Sequence, residues 1–196
     1  MTLGSIRSHS LLSLIVTALA TIVACAPAPE TEAPAETASA PAPRLAAGPA
    51  QAHATLQPAA GGTVSGAVAF TEESGTVSIV AHIEGAPPGL HGFHIHEVGD
   101  CSAMDFTSAG GHFNPAGSEH GGPHAEPRHA GDLGNLEIGE SGFAHVEMTS
   151  DLLTVSAGPY SVVGRAVILH ADPDDLVSQP TGAAGARLAC GVIEEA

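Results

Sequence analysis

Two histidines in a short apolar run are the first candidates for chemistry in this sequence. His94 and His96 lie within residues 92–97, Gly-Phe-His-Ile-His-Glu. Their i, i+2 spacing places both imidazoles on one face of a predicted strand, where they can bind one metal ion. A lone His-x-His also occurs by coincidence on protein surfaces, so the interpretation depends on further ligands.

The segment that follows the pair supplies such ligands. Residues 99–132 have little periodicity but many Gly, Pro and His residues, which predicts a functional loop of roughly thirty residues. Together with the end of a later predicted strand, this segment contributes His112, His120, His129, Asp132 and His170. Imidazoles suit copper or zinc, an added carboxylate suits zinc, and the absence of thiolate ligands argues against an iron-sulfur or structural cysteine site. One loop folded over a strand pair can therefore hold two metals.

Short runs of β-branched and small apolar residues, bounded by glycines, predict the elements that position these ligands. After a change of pattern at His53, the predicted strands are 63–71, 76–83, 92–96, 136–138, 143–148, 165–170 and 186–193. The 24 Gly, 15 Pro and absence of Trp suit short strands joined by tight turns. We predict an all-β fold of about eight strands, a small antiparallel sandwich or flattened barrel. The length of 196 residues leaves room for one such domain plus terminal extras.

The chain is strongly acidic. It has 21 Asp and Glu against five Arg and no Lys, which gives a formal net charge of -16. Binding to a nucleic-acid backbone requires cationic contacts, so nucleic acid is excluded as a partner. This acidity is typical of a soluble, self-repelling exported protein and requires no specific cationic partner.

The first residues predict export. Residues 1–24 are interpreted as a signal peptide, because Arg7 precedes an apolar run at 11–24 that is too short to span a bilayer comfortably. Residues 22–25, Ile-Val-Ala-Cys, resemble a bacterial lipobox in which Cys25 is diacylated and becomes the mature N-terminus. Ordinary cleavage near Cys25 is the alternative. Ala26 gives no inner-membrane retention signal of the Asp type, so the expected location is the periplasm, anchored by lipid to the outer membrane.

A tether is predicted between the lipidated cysteine and the folded domain. Residues 25–51 consist largely of Ala, Pro, Glu and Thr. Such a segment buries too little apolar surface to offset its ordering entropy, so we expect it to be disordered. The folded domain is then 52–196, and the only expected contact with a membrane is through Cys25.

Five spaced motifs together resemble the copper/zinc superoxide dismutase family, in its bacterial exported lipoprotein form. They are residues 92–97, Gly-His-Phe-Asn-Pro at 111–115, His-Gly-Gly-Pro at 120–123, Arg-His-Ala-Gly-Asp-Leu-Gly-Asn at 128–135, and Thr-Gly-Ala-Ala-Gly-Ala-Arg-Leu-Ala-Cys-Gly at 181–191. The resemblance covers almost everything after Thr63. It implies an eight-stranded, immunoglobulin-like Greek-key barrel with long metal-binding and electrostatic loops. It also implies conversion of superoxide to dioxygen and hydrogen peroxide, as antioxidant defence outside the cytoplasm.

The resemblance implies one copper and one zinc per chain, with ligands carried over residue by residue. The implied copper ligands are His94, His96, His112 and His170. The implied zinc ligands are His112, His120, His129 and Asp132. His112 is shared, and its deprotonated ring would bridge the metals through both nitrogens. Copper would perform the redox cycle, because zinc does not change oxidation state, and zinc would support the bridging histidine.

Two further residues match family positions near the metals. Asp174 falls where the family has a carboxylate that links a copper histidine to a zinc histidine and fixes both rings. Its alternative role is that of a solvated loop acid. Arg187 matches the anion-binding arginine, which would act with His112 in catalysis and hold superoxide by charge-assisted hydrogen bonds. Its alternative role is that of a surface arginine paired with an acid.

The resemblance also implies an intrachain disulfide between Cys101 and Cys190. Closing a loop of this length would stabilise the fold by about 4 kcal/mol in the chain-entropy model. Family members form dimers through different faces or remain monomeric, so the resemblance allows a homodimer without requiring one. The histidines of the predicted domain that lie outside the motifs are expected to have structural or surface roles. His91 is close enough to form a hydrogen bond near the copper strand, and the others are His53, His82, His124 and His145.

Two other functions compete with that of a dismutase. A zinc hydrolase of the metallo-β-lactamase sort expects His-x-His-x-Asp-His, whereas Glu-Val-Gly-Asp-Cys follows His96 here, so the spacing fails. A non-enzymatic copper-binding or copper-buffering protein on the same fold is the alternative that stays open. Copper chaperones with related domains lose ligands or add cysteine motifs. Here every ligand position is filled and no Cys-x-Cys exists.

The charge pattern generates a prediction about substrate attraction. Family members often carry basic residues in the segment corresponding to 172–180, but here it has three Asp and no Lys or Arg. Without its signal peptide the chain has four Arg against 21 acids, a formal charge of -17. We predict slow association with superoxide and only a modest decrease of the rate with added salt, measured as kcat/KM against ionic strength. A rate that falls steeply with salt would contradict weak steering.

Overall fold

The computed structural model describes residues 48–196, which form eight β-strands and a short 3-10 helix at Thr107–Ala109. The strands are β1 Ala50–Pro58, β2 Ser65–Glu73, β3 Thr76–Glu84, β4 Gly89–His96, β5 Asp132–Ile138, β6 Ala144–Ser150, β7 Ala166–His170 and β8 Arg187–Glu195. No helix among these residues is long and apolar enough to cross a membrane. The all-β prediction is confirmed.

All neighbouring strands are antiparallel, in the order β5-β4-β7-β8-β1-β2-β3-β6. The chain leaves the β1-β2-β3 meander, crosses to β4 and β5, returns to β6, and crosses again to β7 and β8. These crossings create the Greek-key arrangement, and the eight strands form a nearly closed flattened barrel. The fold predicted from strand patterns and from the resemblance is therefore confirmed.

Alternation of side chains along the strands creates the core. In β3, Val77, Ile79, Ala81 and Ile83 are fully buried, whereas the residues between them face outwards to varying degrees. This period of two is the pattern of a strand with one face in the core and the other towards solvent. The core lies inside the barrel, where both halves of the sheet place their inward side chains.

The first strand begins slightly earlier than the predicted domain boundary. Ala50 and Gln51 pair with Glu72 and Thr71 of β2, so β1 includes the last two residues assigned to the tether. The cross-strand ladder extends β1 at this point, although the composition of the segment suggested a disordered chain. The predicted signal peptide and most of the predicted tether lie outside the described residues.

Strand β4 differs from β3 because both of its faces are covered. Phe93 and Ile95 point into the barrel core, and His94 and His96 point to the opposite face, as the i, i+2 spacing predicted. Both histidines are nevertheless fully buried. The covering material is the connection at residues 97–131, together with the connection between β7 and β8.

The connection at 97–131 is attached to β4 by backbone hydrogen bonds. The Phe113 N–H donates to the Ile95 carbonyl oxygen at 2.8 Å, and the Ile95 N–H donates to the Gly131 carbonyl oxygen at 2.9 Å. The Gly131 N–H in turn donates to the Phe113 carbonyl oxygen at 2.9 Å. These bonds hold the middle and the end of the connection at 97–131 against the strand that carries His94 and His96.

A disulfide fastens the start of the same connection. Cys101 is bonded to Cys190 of β8, with their Cα atoms 5.8 Å apart and 89 positions apart in sequence. Beside it, Phe106 and Ala109 pack on Ile168 in a small apolar cluster separate from the main core. The predicted pairing is confirmed, and the loop is held to the barrel by a covalent bond and by burial.

Candidate metal centre

The sequence-predicted ligands converge in two buried groups. One consists of His94, His96, His112 and His170, and the other of His112, His120, His129 and Asp132. Within each group the potential ligand atoms all lie within 4.8 Å of one another. His112 belongs to both groups, so a single imidazole lies between two places that can each hold an ion.

Asp132, the first residue of β5, organises the second group. Its Oδ1 lies 2.8 Å from Nδ1 of His112, and 3.1 Å from Nδ1 of both His120 and His129. Its Oδ2 accepts hydrogen bonds from the backbone N–H groups of Gly121, at 3.1 Å, and His129, at 2.8 Å. One oxygen is therefore fixed by the backbone, which aims the other at three imidazole nitrogens.

This second group has the donor set and spacing of a zinc site. Neighbouring ligand atoms of a tetrahedral zinc ion with bonds of about 2.0–2.1 Å are about 3.3 Å apart. The separations around Asp132 are close to that value. Three imidazoles and a carboxylate are a typical zinc donor set, so the residues fit the metal that the resemblance implies.

Backbone carbonyl oxygens set the orientation of the rings in the first group. A carbonyl oxygen only accepts hydrogen bonds, so the ring nitrogen facing it must donate. Nδ1–H of His96 donates to the Gly110 carbonyl oxygen at 2.9 Å, and Nδ1–H of His170 donates to that of Gly185 at 3.3 Å. The two Nε2 atoms are left facing each other, 3.3 Å apart. This separation suits two ligands of one ion.

Among residues 48–196, three buried histidine ring nitrogens have no hydrogen-bond partner. They are Nδ1 of His94, Nε2 of His112 and Nδ1 of His120. The last of these is 3.1 Å from Asp132 Oδ1, but the two atoms do not have hydrogen-bond geometry. A buried polar atom without a partner is costly, so each such atom in a folded protein calls for an explanation. Each of these nitrogens belongs to one of the two groups, and metal ions would supply the missing partners. The first group, with imidazole nitrogens only, fits copper.

Asp174 connects the two groups directly. Its Oδ2 lies 2.8 Å from Nε2 of His94, and its Oδ1 lies 2.9 Å from Nε2 of His120. It is buried rather than solvated. A carboxylate that accepts the second ring N–H of a ligand histidine fixes the tautomer and orientation of that ring. Gly182 makes the contact possible, because a Cβ atom there would overlap Asp174 Oδ1.

Arg187 lies at the edge of the first group, at the start of β8. It is the register partner of His170, and it donates hydrogen bonds to the carbonyl oxygens of Phe106 and of Gly110, the latter at 2.6 Å. Within the described residues, no carboxylate forms an ion pair with it. Burial lowers its pKa and Asp105 opposes that shift, but a guanidinium stays charged in proteins. The centre therefore has one cation whose charge is not neutralised by a paired acid.

The remaining predicted contact involves His91. Its Nδ1 lies 2.8 Å from the His170 carbonyl oxygen, and its Nε2 lies 2.9 Å from that of Pro87. The expectation of a hydrogen bond near the copper strand is confirmed. His91 ties the backbone of a predicted copper ligand to the loop before β4.

The sequence interpretation missed two amides that hold the ligand loops. Asn135 donates from Nδ2 to the Asp174 carbonyl oxygen at 2.9 Å and accepts from the Asp174 N–H at 2.7 Å. Gln179 makes the same pair of bonds with the backbone of His120, at 2.9 and 2.8 Å. The partners are 39 and 59 positions apart, so no local pattern could indicate these contacts.

Burial strongly affects the ionisation of the histidines. It lowers the pKa of His94 to about 4, of His170 to about 3 and of His96 to about 2, although hydrogen bonds oppose the shift in each case. Burial alone would raise the pKa of Asp132, but hydrogen bonds from His112 and from backbone N–H groups lower it overall. Neutral imidazoles beside an ionised carboxylate are the forms that bind metal.

These shifts predict how the stability of the metal-free protein depends on pH. An unfolded histidine takes up a proton near pH 6.5, whereas the buried histidines resist protonation until about pH 4 or below. The unfolded chain then binds more protons, so the free energy of unfolding falls as pH falls below 6.5, by up to about 1.4 kcal/mol per pH unit for each histidine. Urea unfolding of the chelator-treated protein at pH 7.5, 6 and 5 measures this loss.

Two variants make this measurement specific. His96→Gln removes one buried imidazole and should reduce the pH slope. His53→Gln, which changes an exposed histidine of β1, is the control substitution. Unfolding midpoints that stay constant or rise from pH 7.5 to pH 5 would show that the buried rings are not held neutral.

Comparison with known proteins agrees with this geometry. Residues 64–193 match the family described as copper/zinc superoxide dismutase (SODC). Among solved structures, the crystal structure of the clock protein EA4 is 39% identical and superposes with a TM-score of 0.69. The match covers 77% of this chain and 98% of that chain. Since the family match includes both groups of potential metal ligands and the disulfide, the chain belongs to the copper/zinc superoxide dismutase family.

Proposed function

We propose that this protein is an active copper/zinc superoxide dismutase, converting superoxide to dioxygen and hydrogen peroxide. The observation that carries the proposal is the position of His112 between two complete ligand groups, with Nδ1 towards Asp132 and Nε2 without a partner. A protein that only stored copper would not need one imidazole shared between two ions.

The ligand groups would divide the chemistry between the metals. His94, His96, His112 and His170 would hold copper, which changes oxidation state by one electron and so can both oxidise and reduce superoxide. His112, His120, His129 and Asp132 would hold zinc, which has no redox chemistry and supports the shared ring. Peroxide formation also requires protons, and Nε2 of His112 is a buried basic atom able to hold one.

Arg187 would bind and orient the anion. The two hydrogen bonds to carbonyl oxygens fix the guanidinium in place, and its other N–H groups stay available as donors. Its charge acts on His96 and His170, lowering the pKa of both rings, so the cation is close to the proposed copper side. A fixed guanidinium near that side attracts superoxide and offers charge-assisted hydrogen bonds.

The activity calls for a direct test, because a solved protein of similar structure carries the name clock protein EA4. We expect the purified wild-type chain to contain about one copper and one zinc by elemental analysis, and to consume superoxide. His112→Ala should weaken the binding of both copper and zinc and lower the activity by at least about 100-fold. Even the substitution of a residue that only orients a ligand changes metal affinity or activity by about 10–100-fold.

Further variants separate catalysis from copper binding. Arg187→Met should retain both metals and lose activity at low superoxide concentration, because it removes the anion contact and none of the ligands. It also removes the hydrogen bonds to the Phe106 and Gly110 carbonyl oxygens, so copper and zinc content is measured beside activity. His53→Ala, at an exposed position on β1, is the matched control and should behave like the wild type. Full copper occupancy without superoxide consumption in the wild type would instead support a copper-buffering protein.

We propose further that the protein is exported to the periplasm and anchored to the outer membrane through a lipidated Cys25. The support is the lipobox-like sequence at residues 22–25 and the Ala/Pro/Glu-rich composition that follows it. The disulfide between Cys101 and Cys190 also suits an oxidising compartment.

Labelling of the expressed protein with radioactive palmitate tests the anchor. The wild type should incorporate label and sediment with outer-membrane fragments. Cys25→Ala should lose the label and move to another fraction, because the acylated sulfur is gone. Ala26→Ser leaves the cysteine in place and should behave like the wild type. Unlabelled wild-type protein would overturn the anchor and leave the proposed activity untouched.

A further inference from the structure

Two exposed histidines face each other on the outside of the barrel. His82 of β3 and His145 of β6 are register partners in the antiparallel ladder, so their side chains project from the same face. Their ring centroids are 4.4 Å apart with an interplanar angle of 36°, and their Nδ1 atoms are 3.3 Å apart. Both residues are exposed, and neither belongs to the buried metal centre.

The distance between these Nδ1 atoms is that of two ligands of one ion. Two nitrogens bound at about 2.0–2.1 Å with a tetrahedral angle are about 3.3 Å apart. The same molecule provides a standard, since the Nε2 atoms of His96 and His170 in the buried centre are also 3.3 Å apart. The exposed pair therefore presents its nitrogens at the spacing found in the predicted copper site.

An acidic residue is placed to support such a site. Oε1 of Glu147, two residues after His145 on the same face of β6, lies 3.5 Å from Nε2 of His145. This is the ring nitrogen that does not face His82. Metal-binding histidines usually donate their other ring N–H to a carboxylate, which fixes the ring and increases its basicity. A small rotation of the exposed glutamate would bring it within hydrogen-bond distance.

We propose that His82 and His145 form a surface metal site that binds a divalent transition-metal ion through both Nδ1 atoms, with Glu147 as a positioning residue. Imidazole ligands suit copper(II) and zinc, and in the Irving-Williams order of affinities copper(II) binds most tightly. Water would complete the coordination, because both side chains face solvent. The formal net charge of -16 raises the local concentration of cations near the surface.

The competing explanation is a hydrogen bond between the rings. One Nδ1–H can donate to the other Nδ1 at 3.3 Å, and cross-strand aromatic pairs contribute to sheet stability without any ligand. The two explanations differ in what the pair does when metal is added. A hydrogen-bonded pair takes up no metal, whereas a metal site loses affinity when either ring is removed.

Copper(II) titration of the fully metallated protein tests the site. Equilibrium dialysis with elemental analysis should find extra copper bound by the wild type, and either His82→Ala or His145→Ala should lose about one equivalent of it. Glu147→Gln should weaken binding about tenfold, as expected when a carboxylate that orients a ligand is changed. His53→Ala, an exposed strand histidine of β1, is the control and should retain the full uptake.

A spectroscopic measurement keeps the result independent of folding defects in the variants. In the wild type, substoichiometric copper(II) should broaden the imidazole NMR signals of His82 and His145 before those of His53. Equal copper uptake by the wild type and both alanine variants, or broadening that spares the pair, would overturn the site. The buried metals and the superoxide-consuming activity should be unchanged in these variants, so failure here does not bear on the proposed dismutase.

Discussion

The unpaired nitrogen atoms of buried histidines are the constraint on which the rest of this structure depends. Nδ1 of His94, Nε2 of His112 and Nδ1 of His120 are buried without partners, which is unfavourable in a protein of marginal stability. They are collected in two places, where one ion would satisfy several atoms at once. The centre therefore consists of two groups of potential ligands that share one ring, that of His112.

The surrounding polar groups determine how the rings in both groups are oriented. Carbonyl oxygens of Gly110 and Gly185 determine which nitrogen of His96 and of His170 faces inwards. Asp174 does the same for a ring in each group. The carbonyls and Asp174 belong to loops, and loops are mobile unless they are fixed. These loops are fixed by the disulfide, by the backbone hydrogen bonds to β4 and by the paired amide contacts. Much of the chain outside the barrel therefore helps to orient the histidine rings.

The sequence predicted the parts of this arrangement that have local signals. Alternation in β3 and the i, i+2 spacing of His94 and His96 follow from strand geometry, and the ligand loop was recognisable from its composition. The family resemblance then supplied the grouping of distant ligands. Contacts without a local signal could not be predicted, including the amide bonds of Asn135 and Gln179, which depend on how two loops meet. None of the predicted strand ranges covers β1, whose pairing with β2 outweighs the composition of its first residues.

The two histidine pairs of this molecule separate the effect of spacing from the effect of surroundings. His96 and His170, like His82 and His145, place ring nitrogens 3.3 Å apart. Around the buried pair, carbonyl oxygens fix the rings, and burial lowers the pKa of both histidines, so protons compete weakly with a metal ion. The exposed pair has a single carboxylate nearby and is open to water, which competes for coordination and allows exchange. Two histidines at the same spacing can therefore hold a metal ion tightly in a buried environment and exchangeably in an exposed one. The surroundings determine how strongly protons and water compete with metal binding.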